Sequence, residues 1–105
     1  MKIAIIGSTG LIPKMIEYAG DLQEKGFEVS LPVFDKDTND IKYLIGENKK
    51  RIIAADEVHL FWDGRSPGTI IDIGITIGLG QPLKIIFLEE KSISDYVKLY
   101  AEEFK

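Results

Sequence analysis

Cysteine is missing from the 105 residues, and histidine and tryptophan occur once each. Without thiols there is no disulfide frame, no thiolate nucleophile and no cysteine-ligated zinc, and a single imidazole cannot build a histidine-rich metal cluster. Long apolar runs are also missing. No segment reaches the ~18 consecutive apolar residues of a membrane span, and the amino-terminal run "KIAII" ends at "GSTG", a turn foreign to a secretory signal. Excess positive charge is lacking too: 13 Lys and Arg stand against 17 Asp and Glu, a formal charge of −4 with no cationic stripe for a nucleic-acid backbone. A cytoplasmic protein is expected, with a small molecule as partner, no nucleic acid, no membrane and no metal. The chemistry left to it is that of carboxylates and hydroxyls.

What is present is one domain's worth of alternating patterns. A chain of this length, 45% hydrophobic with 4 prolines, is enough for a single core over residues 1–105. "KIAII" (2–6) reads as a strand buried on both faces. Leu11 to Lys25 carries apolar residues at helical spacing, with Gly26 where a C-cap belongs. "FEVSLPVF" (27–34) is β-branched and alternating, and its Pro32 marks an edge strand or a strand end. "DKDTND" is a polar loop, and Ile41 to Ala55 is a helix whose "KKR" (49–51) suits its C-terminal dipole as a solvated end. "EVHLFW" (57–62) is a strand, Thr69 to Leu79 a short apolar helix and "PLKIIFL" (82–88) a strand. Ser92 to Phe104 is an amphipathic helix capped by Ser92 or Ser94.

Strands alternating with helices of this length predict right-handed βαβ units around a parallel sheet. The expected class is a small flavodoxin-like (Rossmann-like) α/β domain, a three-layer sandwich with four parallel strands in the order 2-1-3-4. In such sheets ligands sit beyond the carboxyl ends of the strands where the winding reverses, here between strands one and three. The loops at that point are "GSTG" and "DGRSPGT".

"GSTGLIPK" lacks the spacing of a dinucleotide fingerprint or a P-loop, so neither cofactor class is expected, and no cofactor is assigned. Gly7 and Gly10 permit close backbone approach, while Ser8 and Thr9 suit an anion or a sugar hydroxyl, or simply cap a turn. In the second loop Asp63 closes the strand, Arg65 adds positive charge, and Ser66, Gly68 and Thr69 lead into a helix, a fit for phosphate or ribose. Asp63-Gly64 and Pro67-Gly68 are also ordinary turn dipeptides. Asp72 stands alone among isoleucines. It is either the third residue after an N-cap at Thr69, completing a capping box, or a buried carboxylate facing a pocket. The box favours Glu or Gln, and the remaining helix is apolar on nearly every side, with Gly74 and Gly78 flattening one face, so a functional Asp72 is preferred. His59, mid-strand, reads as a hydrogen-bonded core or edge residue, Phe61 and Trp62 as core.

The stretch "DEVHLFWDGRSPGTIIDIGITIGLGQPLKII", from Asp56 to Ile86, resembles the nucleoside 2-deoxyribosyltransferase family and the related 2′-deoxynucleoside 5′-phosphate N-hydrolases. The resemblance runs through an acid opening the strand (Asp56), Ser66 and Gly68-Thr69 in the loop, Asp72-Ile73-Gly74 where the family has Glu-hydrophobic-Gly, and Gly80-Gln81-Pro82 before the next strand. It implies a nucleophile at Asp72 that attacks C1′ of the deoxyribose as the base leaves. It also implies Ser66 as a phosphate or hydroxyl ligand, Gly68 as a point of close approach, Ser8 as a 5′-phosphate ligand, and a homodimer or higher homo-oligomer. The family's second acid, about eight residues ahead of Asp56, falls at Asn48, beside Glu47. "SPGTIID" is also similar to a reduced form of the motif of cytokinin-activating phosphoribohydrolase-like proteins. The expected function is cleavage or transfer of an N-glycosidic bond of a deoxynucleoside or its 5′-phosphate. The alternatives are a nucleotide-binding module without chemistry and a homodimeric interaction domain.

Overall fold

A computed structural model describes residues 1–32, 40–89 and 94–104. Among them lie four strands, β1 (Lys2–Gly7), β2 (Glu28–Ser30), β3 (Glu57–Trp62) and β4 (Leu83–Leu88). Four α-helices accompany them: α1 (Ile12–Glu24), α2 (Ile41–Ala54), α3 (Pro67–Gly78) and α4 (Ser94–Glu102). All strand pairs are parallel and the order is β2-β1-β3-β4, the small flavodoxin-like arrangement. Residues 33–39, which hold the end of the expected second strand and most of the acidic loop, and Ser92 lie outside the described residues.

The two central strands owe their place to their composition. Ile3 to Ile6 and Val58 to Trp62 are buried throughout, and only a strand covered on both faces uses an apolar run of that kind. β2 takes an edge, and Pro32, which has no N–H for a sheet ladder, follows its last residue. On one face of the sheet Ile5 and Phe61 pack with Leu11 and with Met15 and Ala19 of α1. On the other, Ile6, Val58, Leu60, Trp62 and Leu83 pack with Ile52 of α2, Ile73 of α3, and Val97 and Ala101 of α4. The layering is therefore uneven, one helix against three. α1 ends as its sequence suggests, with Gly26 at φ 91° in the left-handed region.

The thinner face carries a polar cluster that closes on itself. The His59 ring, 5% exposed, meets the Tyr18 hydroxyl through Nδ1 at 2.6 Å and Glu57 Oε1 through Nε2 at 3.1 Å. Glu57 Oε2 pairs with Lys84, which lies opposite His59 on β4, at 3.1 Å. Burial pushes the His59 pKa down, against the pull of Glu57. The ring is thus a neutral, fully partnered core group, as its position in the sequence suggested.

α3 departs from the expected start at Thr69. It begins at Pro67, with Ser66 as the N-cap residue. Proline presets φ at the first helical position, and the Ser66 N–H is taken by Asp63 Oδ1 at 3.0 Å, so the first turn forms two residues early. The capping box between Thr69 and Asp72 therefore does not form: Thr69 lies inside the helix, and Asp72 is in its second turn. Nor is α3 buried all round. Its inward residues are Thr69, Asp72, Ile73 and Thr76, whereas Ile70, Ile71 and Ile77 are each 39% exposed and Gly74 and Gly78 face open space. The helix turns three polar side chains in and three isoleucines out.

Gly7 shows how closely β1 and β3 approach at their carboxyl ends. A Cβ there would lie 2.6 Å from the Phe61 carbonyl oxygen and 2.7 Å from Met15 Sδ. Gly7→Ala is expected to cost about 2 to 3 kcal/mol in urea unfolding, the range of core overpacking. Gly46→Ala, in α2 with open space at its Cβ position, is expected to gain about 0.5 to 1 kcal/mol from helix propensity.

Candidate functional site

The two glycine-containing loops meet at the reversal point between β1 and β3. The Ser8 N–H donates to the Phe61 carbonyl at 3.0 Å, and Ser8 Oγ accepts the Asp63 N–H at 3.2 Å. Asp63 then organises the second loop: Oδ1 accepts the N–H groups of Arg65 (2.8 Å) and Ser66 (3.0 Å), and the Ser66 hydroxyl donates to the same carboxylate. Burial works against the Asp63 anion, but these bonds outweigh it and hold its pKa below the usual carboxylate range. The loop is thereby folded into the helix start.

Above this junction lies a pocket of about 440 Å³. One side is polar: Gly7 and Thr9 from the first loop, and Ser66, Gly68, Thr69 and Asp72 from the start of α3. The N–H groups of Gly68 and Thr69 have no carbonyl one turn back to bond, so they offer donors and the positive end of the helix dipole to the pocket. The opposite side is apolar, formed by Pro32, by Ile41, Leu44 and Ile45 of α2, and by Ile71. Asn48 completes the wall between them.

Asp72 is a group that the described residues leave without a side-chain hydrogen bond. It is 7% exposed, and its carboxylate accepts no hydrogen bond from a described residue; the bond recorded at Asp72 is from Thr76 Oγ1 to its backbone carbonyl, at 2.7 Å. Burial pushes its pKa up to about 6, opposed by the positive charge of Arg51. A carboxyl group poised near neutrality, lining a pocket and without a hydrogen-bond partner among the described residues, is suited to act as nucleophile or as acid and base.

Arg51 was read from sequence as part of a solvated helix end, and the structure corrects this. Lys49 and Lys50 are exposed, but Arg51 turns inward. Nη1 donates to the Ser30 carbonyl and hydroxyl at 3.1 and 2.9 Å, Nη2 to the Ile5 carbonyl at 3.0 Å, and Nε and Nη2 to Asn48 Oδ1 at 3.2 and 3.0 Å. Burial lowers its pKa to about 10, and Asp72 pulls it back up. The signal was in the spacing: Leu44, Asn48 and Arg51 recur at i, i+4 and i+7, one face of a helix.

Of the residues picked out from sequence, Gly7, Thr9, Ser66, Gly68, Thr69, Asn48 and Asp72 converge on the pocket. Ser8 does not line it; its side chain is 1% exposed and is engaged in joining the loops. Asp63 stands at the end of β3 and from there organises the loop, Gly10 and Arg65 are exposed away from the lining, and Glu47 pairs with Lys50 at 3.2 Å. Comparison of the chain with protein-family models, with curated proteins and with solved structures finds no match.

The position of Asp72 sets a pH dependence. Its pKa is higher folded than unfolded, so the stability linked to its protonated form is fully present below about pH 4 and is lost as pH rises through about 6. Asp72→Asn, which removes the ionisation, is expected to be more stable than the parent by about 2 to 3 kcal/mol at pH 7. Urea midpoints across pH 4 to 8 should show this gap closing toward pH 4.

Proposed function

We propose that the protein binds a 2′-deoxynucleoside or its 5′-phosphate in this pocket and cleaves or transfers its N-glycosidic bond. The observation that carries the reading is Asp72, a buried carboxylate without a hydrogen-bond partner among the described residues, set one turn beyond a helix N-terminus in the same pocket. The phosphate or 5′-hydroxyl lies at the donors of Gly68 and Thr69, beside Ser66, and the base lies against Pro32, Leu44, Ile45 and Ile71. The sugar between them presents C1′ to Asp72. One carboxylate oxygen bonds to C1′ while the C1′–N bond breaks, its electron pair leaving with the base, which takes a proton from water. Water, or a nitrogen of a second base, then takes C1′ from the ester and restores the carboxylate. An oxocarbenium-like transition state is favoured by an anion held close and poorly solvated, which is the condition of Asp72.

No helix among the described residues is long and apolar enough to cross a membrane. A cytoplasmic setting, where such substrates occur, belongs to the proposal, as does the expected homodimer, for which the outward isoleucines of α3 are the surface. Sedimentation velocity should show that Ile77→Lys shifts the protein to monomer.

The decisive assay incubates the protein with deoxynucleosides and deoxynucleoside monophosphates and follows free base by chromatography. Base release is expected from the parent and to fall at least a hundredfold in Asp72→Asn, since a nucleophile and not a mere contact is removed. Asp72→Glu extends the side chain by one methylene toward the arrangement of the family it resembles, and is expected to raise the rate. A rise in melting temperature with ligand but no base release in any variant would make the pocket a binding module instead.

A further inference from the structure

We infer that Arg51 is the positioning residue of this site: from behind the pocket wall it fixes the side chain of Asn48 and brings a positive charge to the wall that Asn48 shares with Asp72. Arg51 donates to β1, to β2 and within α2. Its acceptors are the carbonyls of Ile5 and Ser30, the Ser30 hydroxyl and the Asn48 side-chain oxygen, all neutral. No carboxylate of a described residue lies within ion-pair distance of it. Its hydrogen-bonding capacity is used, but among the described residues no carboxylate cancels its charge by direct contact. Asn48, which Arg51 holds, lines the pocket together with Asp72, and across that wall the two charges act on each other, Arg51 opposing the rise of the Asp72 pKa and Asp72 the fall of that of Arg51.

Other charged groups near α3 are already occupied or lie apart. On α2, Glu47 and Lys50 pair with each other and Lys49 is exposed; in the loop before α3, Asp63 is held by the amides of Arg65 and Ser66, and Arg65 is exposed. β1 brings only uncharged residues to this end of the sheet, its Lys2 lying at the other. Asn48, held through its oxygen by Arg51, donates from Nδ2 to the Leu44 carbonyl at 3.1 Å, so its amide is oriented at both ends. A lysine in place of Arg51 keeps the charge but not the planar fork that holds Ile5, Ser30 and Asn48 together. Charge and orientation are thus separable by mutation.

The inference rests on the reading of Asp72 as the reacting group, but its test does not depend on turnover. The Asp72 carboxyl carbon is titrated by ¹³C NMR in the parent, Arg51→Gln and Arg51→Lys, with Asp72→Asn to assign the signal. In Arg51→Gln the midpoint is expected to rise by about one pH unit or more, and in Arg51→Lys to stay near that of the parent. A folded Arg51→Gln with an unmoved midpoint overturns the inference. Should Arg51→Gln fail to fold by circular dichroism, the coupling is read in reverse, by titrating the Arg51 guanidinium carbon in Asp72→Asn. Its midpoint is expected to fall below that of the parent, and an unchanged midpoint overturns the inference. Absence of base release from the parent counts against the nucleoside reading alone.

Discussion

The guanidinium of Arg51 is the joint of this molecule. It ties α2 to the carbonyl of Ile5 in β1 and to Ser30 at the end of β2, two strands that α2 must cross to reach β3. A flat, five-donor group reaches three elements at once, which no apolar side chain and no ammonium could do. The cost is a cation held half out of water, and the fold offsets it partly with neutral acceptors and partly with an anion across the pocket wall. The geometry of the site follows from that arrangement, because the same bonds orient Asn48 and bring a positive charge within range of Asp72.

Two polar groups buried by the sheet and its helices are treated in opposite ways. His59 has both ring nitrogens engaged, by Tyr18 and Glu57, and Glu57 is in turn engaged by Lys84. Such a cluster is complete, and it surfaces the part of the sheet that the single helix α1 leaves thinly covered. Asp72 is as deeply buried, yet its carboxylate has no donor among the described residues, and it faces a cavity rather than a packed neighbour. Burying a carboxylate without hydrogen bonds is expensive. The first arrangement stabilises architecture; the second keeps a reactive group available at the expense of stability.

α3 follows from the same trade. Its composition is that of a core helix, but the face turned inward is the one bearing Thr69, Asp72 and Thr76, with Ile73 in the apolar cluster and Ile75, partly buried, packed against it. Thr76 bonds back to the Asp72 carbonyl, so its hydroxyl is satisfied within the helix, and Thr69 serves the pocket rim. The isoleucines left outside are unusual for an exposed surface, where the informative features are buried polar groups and apolar patches. Their outward position is the consequence of turning Asp72 toward the sheet's carboxyl edge.

Much of this could be read from the residues in order. The runs "KIAII" and "EVHLFW" place the central strands, Pro32 marks an edge strand or a strand end, and the βαβ rhythm with its two glycine-containing loops places a pocket where the winding reverses. These are properties of local pattern and chain handedness, which act between near neighbours and leave a periodic trace. The start of α3, the inward turn of Arg51, the withdrawal of Ser8 into the loop junction and the lack of a partner for Asp72 among the described residues left no such trace. Each depends on which atoms from distant segments come within bonding distance: Asp63 on Ser66, Ser30 and Ile5 on Arg51, Phe61 on Ser8. Sequence determined that Asp72 would be a carboxylate among isoleucines near a switch point; only the packing of α2 against α3 over the sheet decided that it would be buried, without a donor among the described residues, and coupled to an arginine. Burial and electrostatic coupling are set by three-dimensional neighbours, and periodicity carries no record of them.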